Sequence, residues 1–363
     1  MKIKVLDGFR GYAALMVLLF HLPQISDTVF GRSIFLIIHN FRFNYLGVDL
    51  FFVLSGFLIT RILLREKKEG SFSFKLFYLK RALRIFPIYY LTLLVCGIFF
   101  SWKGLGYIAV YGANYYFAFD AALHPLANTW SLSVEEHYYL FWPLVLYFFQ
   151  YEQVKRYLFP GVILIAVSSA MLTYVHFDDI IFSRLLYRGS QFRILSLSMG
   201  SLLAFNEQKL SMLNKKKVTD YLLFAGLFFC VGAIFINEEL MGDAPWVAVV
   251  KLFFFPIYST SLFVLVLLQE KRGNLLDYLF SNGLMRYLGK ISYGLYLYHY
   301  PILFWWGMTK TQLNDQPIGL VECILPLMTI FLVTLASYHF IERPLLVYKT
   351  KLALKRKAKL YKL

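Results

Sequence analysis

Residues 10–21, RGYAALMVLLFH, decide how the rest of the chain reads. They form an apolar helix with a guanidinium at one end, Arg10, and an imidazole at the other, His21. That spacing is about three helical turns, so both groups share a face about 16 Å apart along the axis. Asp7, Ala14 and Leu18 fall close to the same stripe. Polar groups in an apolar helix are costly in lipid and usually face the inside of a bundle. A histidine there is also the side chain whose charge switches near neutral pH. Two plainer readings stand beside this one: Arg10 as a marker of the membrane edge, and His21 as a satisfied packing residue.

Outward from this helix, the composition is that of a membrane protein. The 363 residues are 59% hydrophobic and only 16% charged, and apolar runs of span length recur along the chain. The expected fold class is therefore all-α, a polytopic bundle of about ten transmembrane helices. Spans are expected near 8–24, 44–64, 84–101, 130–150, 158–176, 191–206, 219–237, 246–269, 287–308 and 318–340. The net charge of +16 does not point to nucleic acid, because the basic residues gather in short loops between apolar runs. Arg61 to Arg84, Lys215 to Lys217 and the tail from Lys349 to Lys362 fall on one side; Asp178, Asp179, Glu238, Glu239 and Asp243 fall on the other. The positive-inside rule then puts both termini in the cytoplasm. The division is one membrane domain, 1–345, and a basic cytoplasmic tail, 346–363.

The run 105–118, LGYIAVYGANYYFA, is apolar but short and interrupted by glycine. It is expected as an outer re-entrant or interfacial piece, since an eleventh span would move the lysine-rich tail outside. The N-terminus reads as a retained first helix and not as a signal peptide, because Asp7, Arg10 and His21 interrupt its apolar region. Cys96, Cys230 and Cys323 lie in expected spans without metal-ligand spacing, and no metal is expected.

The chemistry concentrates in four further stretches. Residues 74–84, FKLFYLKRALR, put Phe74, Phe77, Arg81 and Arg84 on one helical face beside the membrane. Paired arginines at this spacing suit a phosphorylated ligand, since the planar fork binds phosphate bidentately; an ordinary topology anchor is the alternative. Residues 45–64, YLGVDLFFVLSGFLITRILL, carry Asp49, readable as a helix cap or as a functional carboxylate. Their Ser55–Gly56 pair is small enough to let a neighbouring helix approach closely. In 130–143, WSLSVEEHYYLFWP, Glu135 shares its face with Ser131 and Tyr139. Glu136 and His137 point elsewhere. In 288–306, LGKISYGLYLYHYPILFWW, Ser292, Tyr296 and His299 share a face, and Pro301 frees the carbonyl of Leu297. Helix lengths put His21, Asp49, Glu135 and His299 at similar depth in the outer half, with Arg10, Arg81, Arg84 and Arg343 at the inner face.

Taken together, these pieces resemble the acyltransferase-3 family of integral-membrane acyltransferases. The matching residues are Arg10 and His21 at their spacing, GVDLFFVLSGFLIT, FYLKRALRIFP, WSLSVEEHYYLFWP, ISYGLYLYHYPI and IERP, in order from residue 6 to 344. The resemblance implies transfer of an acyl group, mostly acetyl, from cytoplasmic acyl-CoA to a hydroxyl of a cell-surface or lipid-linked glycan, in a bacterial inner membrane. It implies His21 and Glu135 as catalytic residues, and Arg10, Arg81 and Arg84 as contacts to acetyl-CoA or another acyl-CoA. Asp49, Ser131, Tyr296 and His299 are expected near the acceptor. The stand-alone form, without a C-terminal SGNH-type domain, is expected, which favours exopolysaccharide, lipopolysaccharide or lipid-linked glycans over peptidoglycan. The competing reading is a proton-coupled transporter or flippase of a glycan precursor.

Overall fold

The computed structural model describes residues 4–24, 33, 35, 37, 38, 43–120, 123–212, 217–222, 226, 245–270, 273, 275–313 and 316–360. Among these, every regular element is a helix. The expected span 219–237 lies mostly outside the described residues, as does Cys230.

The chain opens with α1 (Lys4–His21), α2 (Phe43–Lys68) and α3 (Phe74–Phe99). Two short helices follow, α4 (Leu105–Ala109) and α5 (Ala113–Phe119). Next come α6 (Trp130–Phe148), α7 (Tyr151–His176), α8 (Asp179–Arg188), α9 (Ser190–Phe205) and α10 (Glu207–Met212). The last third holds α11 (Pro245–Gln269), α12 (Leu275–Ser281), α13 (Gly283–Trp305), α14 (Lys310–Leu313), α15 (Leu320–Ser337) and α16 (Arg343–Leu360). Five described helices are long and apolar enough to cross a membrane: α2, α3, α7, α11 and the one beginning at Leu320.

Local chemistry explains where several helices begin. Ser73 Oγ accepts the Leu76 N–H at the start of α3, and Asp178 does the same for Ile181 in α8. Asn282 accepts from Met285 at the start of α13. The capped α3 runs unbroken from Phe74 through Pro87. The sequence places 74–84 on a helical face beside the membrane and a span from near 84, and one helix carries both. A proline removes one donor, which leaves a single carbonyl unpaired, and here the helix continues through it. Arg81 and Arg84 are thus fixed on the same rod as the apolar stretch beyond them. At the other end, a π-helical turn at Tyr338–Glu342 joins α15 to α16, so the basic tail continues as helix to Leu360.

The 105–118 run breaks at Tyr111, whose φ of 60° is left-handed. Stacking of Tyr111 on Tyr89, with centroids 4.6 Å apart, holds the break in place. The pieces on either side, of five and seven residues, are each far shorter than the bilayer core. Beyond them, His124 accepts the Leu126 N–H through Nδ1 and meets the Lys103 carbonyl through Nε2. Burial pushes the pKa of this ring below the ordinary histidine value.

Helix α1 sits against α13 and α2, and α9 packs along α2. Glycine permits both contacts. A Cβ on Gly289 of α13 would lie 1.6 Å from the Asp7 carbonyl oxygen of α1, and one on Gly56 of α2 would lie 1.9 Å from that of Leu197 in α9. The small Ser55–Gly56 pair does therefore admit a close neighbour.

Candidate functional site

Five helices, α1, α2, α3, α6 and α13, enclose a cavity of about 460 Å³. Arg10, Arg61, Arg65, Arg81 and Arg84 line it, against the carboxylates of Asp7, Glu135 and Glu136. Five guanidiniums facing three carboxylates leave an excess of positive charge. The sequence singled out Arg10, Arg81 and Arg84, and the structure brings these three together. In the sequence, Arg61 and Arg65 stand out only as members of the inner basic cluster. Their signal was the spacing Leu58, Arg61, Arg65, which continues the face of Ser55 down α2.

Arg81, Arg10 and Arg61 are held by neighbours and not left to swing. Arg81 lies over the Tyr139 ring at 3.8 Å and over Phe77 at 5.7 Å. Arg10 pairs with Asp7 one turn away at 3.6 Å, and Arg61 with Glu207 at 2.8 Å. Glu135 accepts from Ser55 Oγ at 2.9 Å and from Tyr139 OH at 3.3 Å. Ser55 and Glu135 come from α2 and α6, so this bond ties two walls of the cavity together. Glu136, expected to point elsewhere, lines the same cavity, because α3 and α13 close around the second side of α6.

A second cavity, of about 260 Å³, follows the first along the same helices. On α1 the first cavity takes Leu6, Asp7 and Arg10, and the second takes Val17, Phe20 and His21. On α13 the first takes Ser292 and Tyr293, and the second takes Tyr300. Val48 and Tyr296 line both and form the partition between them. Tyr296 OH is 2.5 Å from Ser131 Oγ and donates to the Asn128 carbonyl at 3.1 Å. The Arg10-to-His21 helix thus spans two chambers, with the arginines at one end and the imidazole at the other.

His21 Nδ1 is 2.8 Å from the Val17 carbonyl, which assigns the proton to Nδ1 and the lone pair to Nε2. Its ring faces His299 at 5.1 Å and Tyr300 at 5.3 Å. His299 is buried, and its Nδ1 meets the Leu295 carbonyl at 3.2 Å. The carbonyl of Leu297, freed by Pro301, is approached by Asn128 Nδ2 at 3.4 Å; the same nitrogen donates to Tyr296 O at 2.6 Å.

Two expected groupings come out differently. His21 and Glu135 line different cavities, on either side of Tyr296. Helix length alone does not fix relative depth: Trp130 reaches the second cavity, and Glu135 lies about 7.5 Å farther along α6. Of the residues expected near the acceptor, Tyr296 lines both cavities, Ser131 only the first, and His299 neither; Asp49 also lines neither. It is fully buried against α9, 2.9 Å from Arg193, and it also accepts from Ser196. Arg193 was not singled out from the sequence, although it is a lone arginine inside an apolar run. Replacing Arg193 by alanine leaves a buried carboxylate without its counter-charge, at a cost of about 3–5 kcal/mol. Thermal unfolding in detergent is expected to show a clear drop in midpoint for Arg193→Ala; an unchanged midpoint would mean that the pair is not a structural tie.

The acyltransferase-domain model of the acyltransferase-3 family matches residues 3–338. A peptidoglycan O-acetyltransferase of Listeria monocytogenes is 30% identical over 94% of this chain and 55% of its own length. A putative peptidoglycan O-acetyltransferase of Bacillus subtilis is 29% identical over 94% and 54%, and a putative O-acetyltransferase of Staphylococcus aureus 28% over 93% and 56%. The chain therefore spans about half the length of the curated relatives it matches. No solved structure matches it. With a match that runs from the start of α1 to the end of α15 and takes in every wall of both cavities, the chain belongs to the acyltransferase-3 family.

Proposed function

We propose that this protein is a membrane O-acyltransferase that moves an acyl group, acetyl by preference, from acyl-CoA to a hydroxyl of a cell-surface or lipid-linked glycan. The observation that carries the reading is the convergence of Arg10, Arg81 and Arg84 on one cavity that adjoins the His21 cavity across Tyr296. Guanidinium forks suit the phosphates of coenzyme A, and the pantetheine arm is long and thin enough to lead a thioester toward the partition. His21 Nε2 then takes the acceptor's hydroxyl proton as the oxygen attacks the thioester carbon. The C–S bond breaks, an ester forms, and the imidazolium returns the proton to the departing thiolate. Glu135 positions Ser55 and Tyr139 and offsets the arginine charge. Direct transfer needs no covalent acyl-enzyme.

The topology that goes with this reading has about ten spans, both termini in the cytoplasm and the arginine cavity on the cytoplasmic side of a bacterial inner membrane. Single cysteines at Lys103 and Lys357, in a background without native cysteines, are then expected to label from opposite faces with an impermeant reagent. Labelling from the same face overturns the orientation.

The relatives named for peptidoglycan put that polymer beside the exopolysaccharide and lipopolysaccharide glycans expected from the sequence. Mass spectrometry of surface glycans from cells with and without the protein tests the function directly: an acyl ester is expected to vanish with the protein. A transporter or flippase is the second reading, favoured by the way the two cavities run in line through the bundle. In that case the mutant loses whole glycan units and not their esters.

A further inference from the structure

We propose that the second cavity is the acceptor's seat and holds one pyranose ring of a glycan. The proposal rests on the acyl-transfer reading and adds to it the place and chemistry of acceptor recognition. Three buried polar atoms at this cavity have no hydrogen-bond partner: Asn44 Oδ1, Asn128 Oδ1 and Arg188 Nε. Buried polar groups are otherwise almost always paired, so a cluster of orphans on one cavity marks where a ligand supplies the missing bonds.

For Asn128 and Arg188 the orientation is fixed by the rest of the side chain. Asn128 is 4% exposed, and its Nδ2 is spent on the Tyr296 carbonyl, so the orphan is the acceptor oxygen. Arg188 donates through Nη1 to the Phe117 carbonyl, and its Nε–H is a buried donor left unspent. Two acceptors and one donor match a group of hydroxyls, since each hydroxyl both gives and takes a hydrogen bond. Trp130 and Tyr187, with ring centroids 4.7 Å apart, add an aromatic wall suited to the C–H face of a sugar. The volume of about 260 Å³ lies below the range of about 300–1,000 Å³ usual for larger ligands, so it suits one ring and not an oligosaccharide. His21 lines the same cavity, which brings a ring hydroxyl to the lone pair on Nε2. Thr311, exposed, stands at the mouth and marks the way in.

The test uses full-length protein in nanodiscs, with the three native cysteines replaced by serine and Thr311→Cys added. The rate of N-ethylmaleimide alkylation is followed with methyl glucoside, galactoside, rhamnoside and N-acetylglucosaminide as probes, and glycerol as the control. At least one pyranoside is expected to slow alkylation saturably while glycerol does not. Asn44→Ala, which removes one orphan oxygen, is expected to raise the half-protecting concentration about five- to tenfold, the size of one lost hydrogen bond. Trp130→Leu is expected to raise it too. Protection by none of the four, or protection unmoved by both variants, overturns the seat. Protection by acetyl-CoA alone also overturns it, by giving the cavity to the donor. Acetyl-CoA binding is measured on the same preparation; its absence, with pyranoside protection intact, sinks the acyl-transfer reading and leaves a sugar site.

Discussion

Changing Arg81 and Arg84 together to lysine is expected to weaken acetyl-CoA binding by about 30- to 100-fold, with the protein still folded. Lysine keeps the positive charge, so long-range attraction survives. What goes is the planar fork that meets two phosphate oxygens at once; a hydrogen bond to a charged group contributes about 1.5–3 kcal/mol. Arg81 loses more than charge geometry, because its stacking on Tyr139 at 3.8 Å holds the fork at the cavity wall. Calorimetry in detergent measures the affinity, and size-exclusion behaviour checks the fold. Donor affinity unchanged in the double variant reduces both residues to topology anchors.

His21→Ala is expected to lower transfer by about 10²- to 10⁴-fold, the usual worth of a positioned general base, while acetyl-CoA still binds. Binding survives because His21 stands in the second cavity, beyond Tyr296 from the arginines. Acetyl-CoA titration and ester formation, measured on one preparation, separate the two effects. Near-normal transfer returns His21 to a packing role. Glu135→Gln belongs to the other chamber. The amide oxygen still accepts from Ser55, but the counter-charge to the arginines is gone, so donor affinity is the quantity expected to move. A loss of transfer with donor affinity unmoved would instead couple Glu135 to the chemical step.

Much of the site was legible in the sequence because it is built on straight helices. The Arg10-to-His21 spacing gave the length of the two-chamber tract, and the Arg81–Arg84 spacing gave a shared face. Pro301 announced a free carbonyl, though not that Asn128 approaches it. What stayed hidden depends on how helices turn against one another. Periodicity gives the face a residue occupies but not which neighbour it meets, so the sequence pairs Glu135 with His21 whereas α6 carries it to the arginines. Asp49 looked like a site carboxylate because its partner, Arg193, lies 144 residues away on α9. Arg188, which nothing in the sequence singles out between the spans expected at 158–176 and 191–206, forms part of a cavity wall because α8 lies beside Trp130.

The partition at Val48 and Tyr296 has an electrical meaning. If both chambers fill with water and ions from their own sides, most of the membrane voltage falls across this thin septum. A cell interior is negative, so the field pulls anions outward, by about 2.3 kcal/mol per charge for every 100 mV. Coenzyme A carries several negative charges and would be driven through any open passage and lost. An acetyl group carries none and feels no such pull. On the acyl-transfer reading the tyrosine septum acts as an insulator with one tolerance: it keeps the charged carrier on the side that must recycle it, and passes only the neutral fragment.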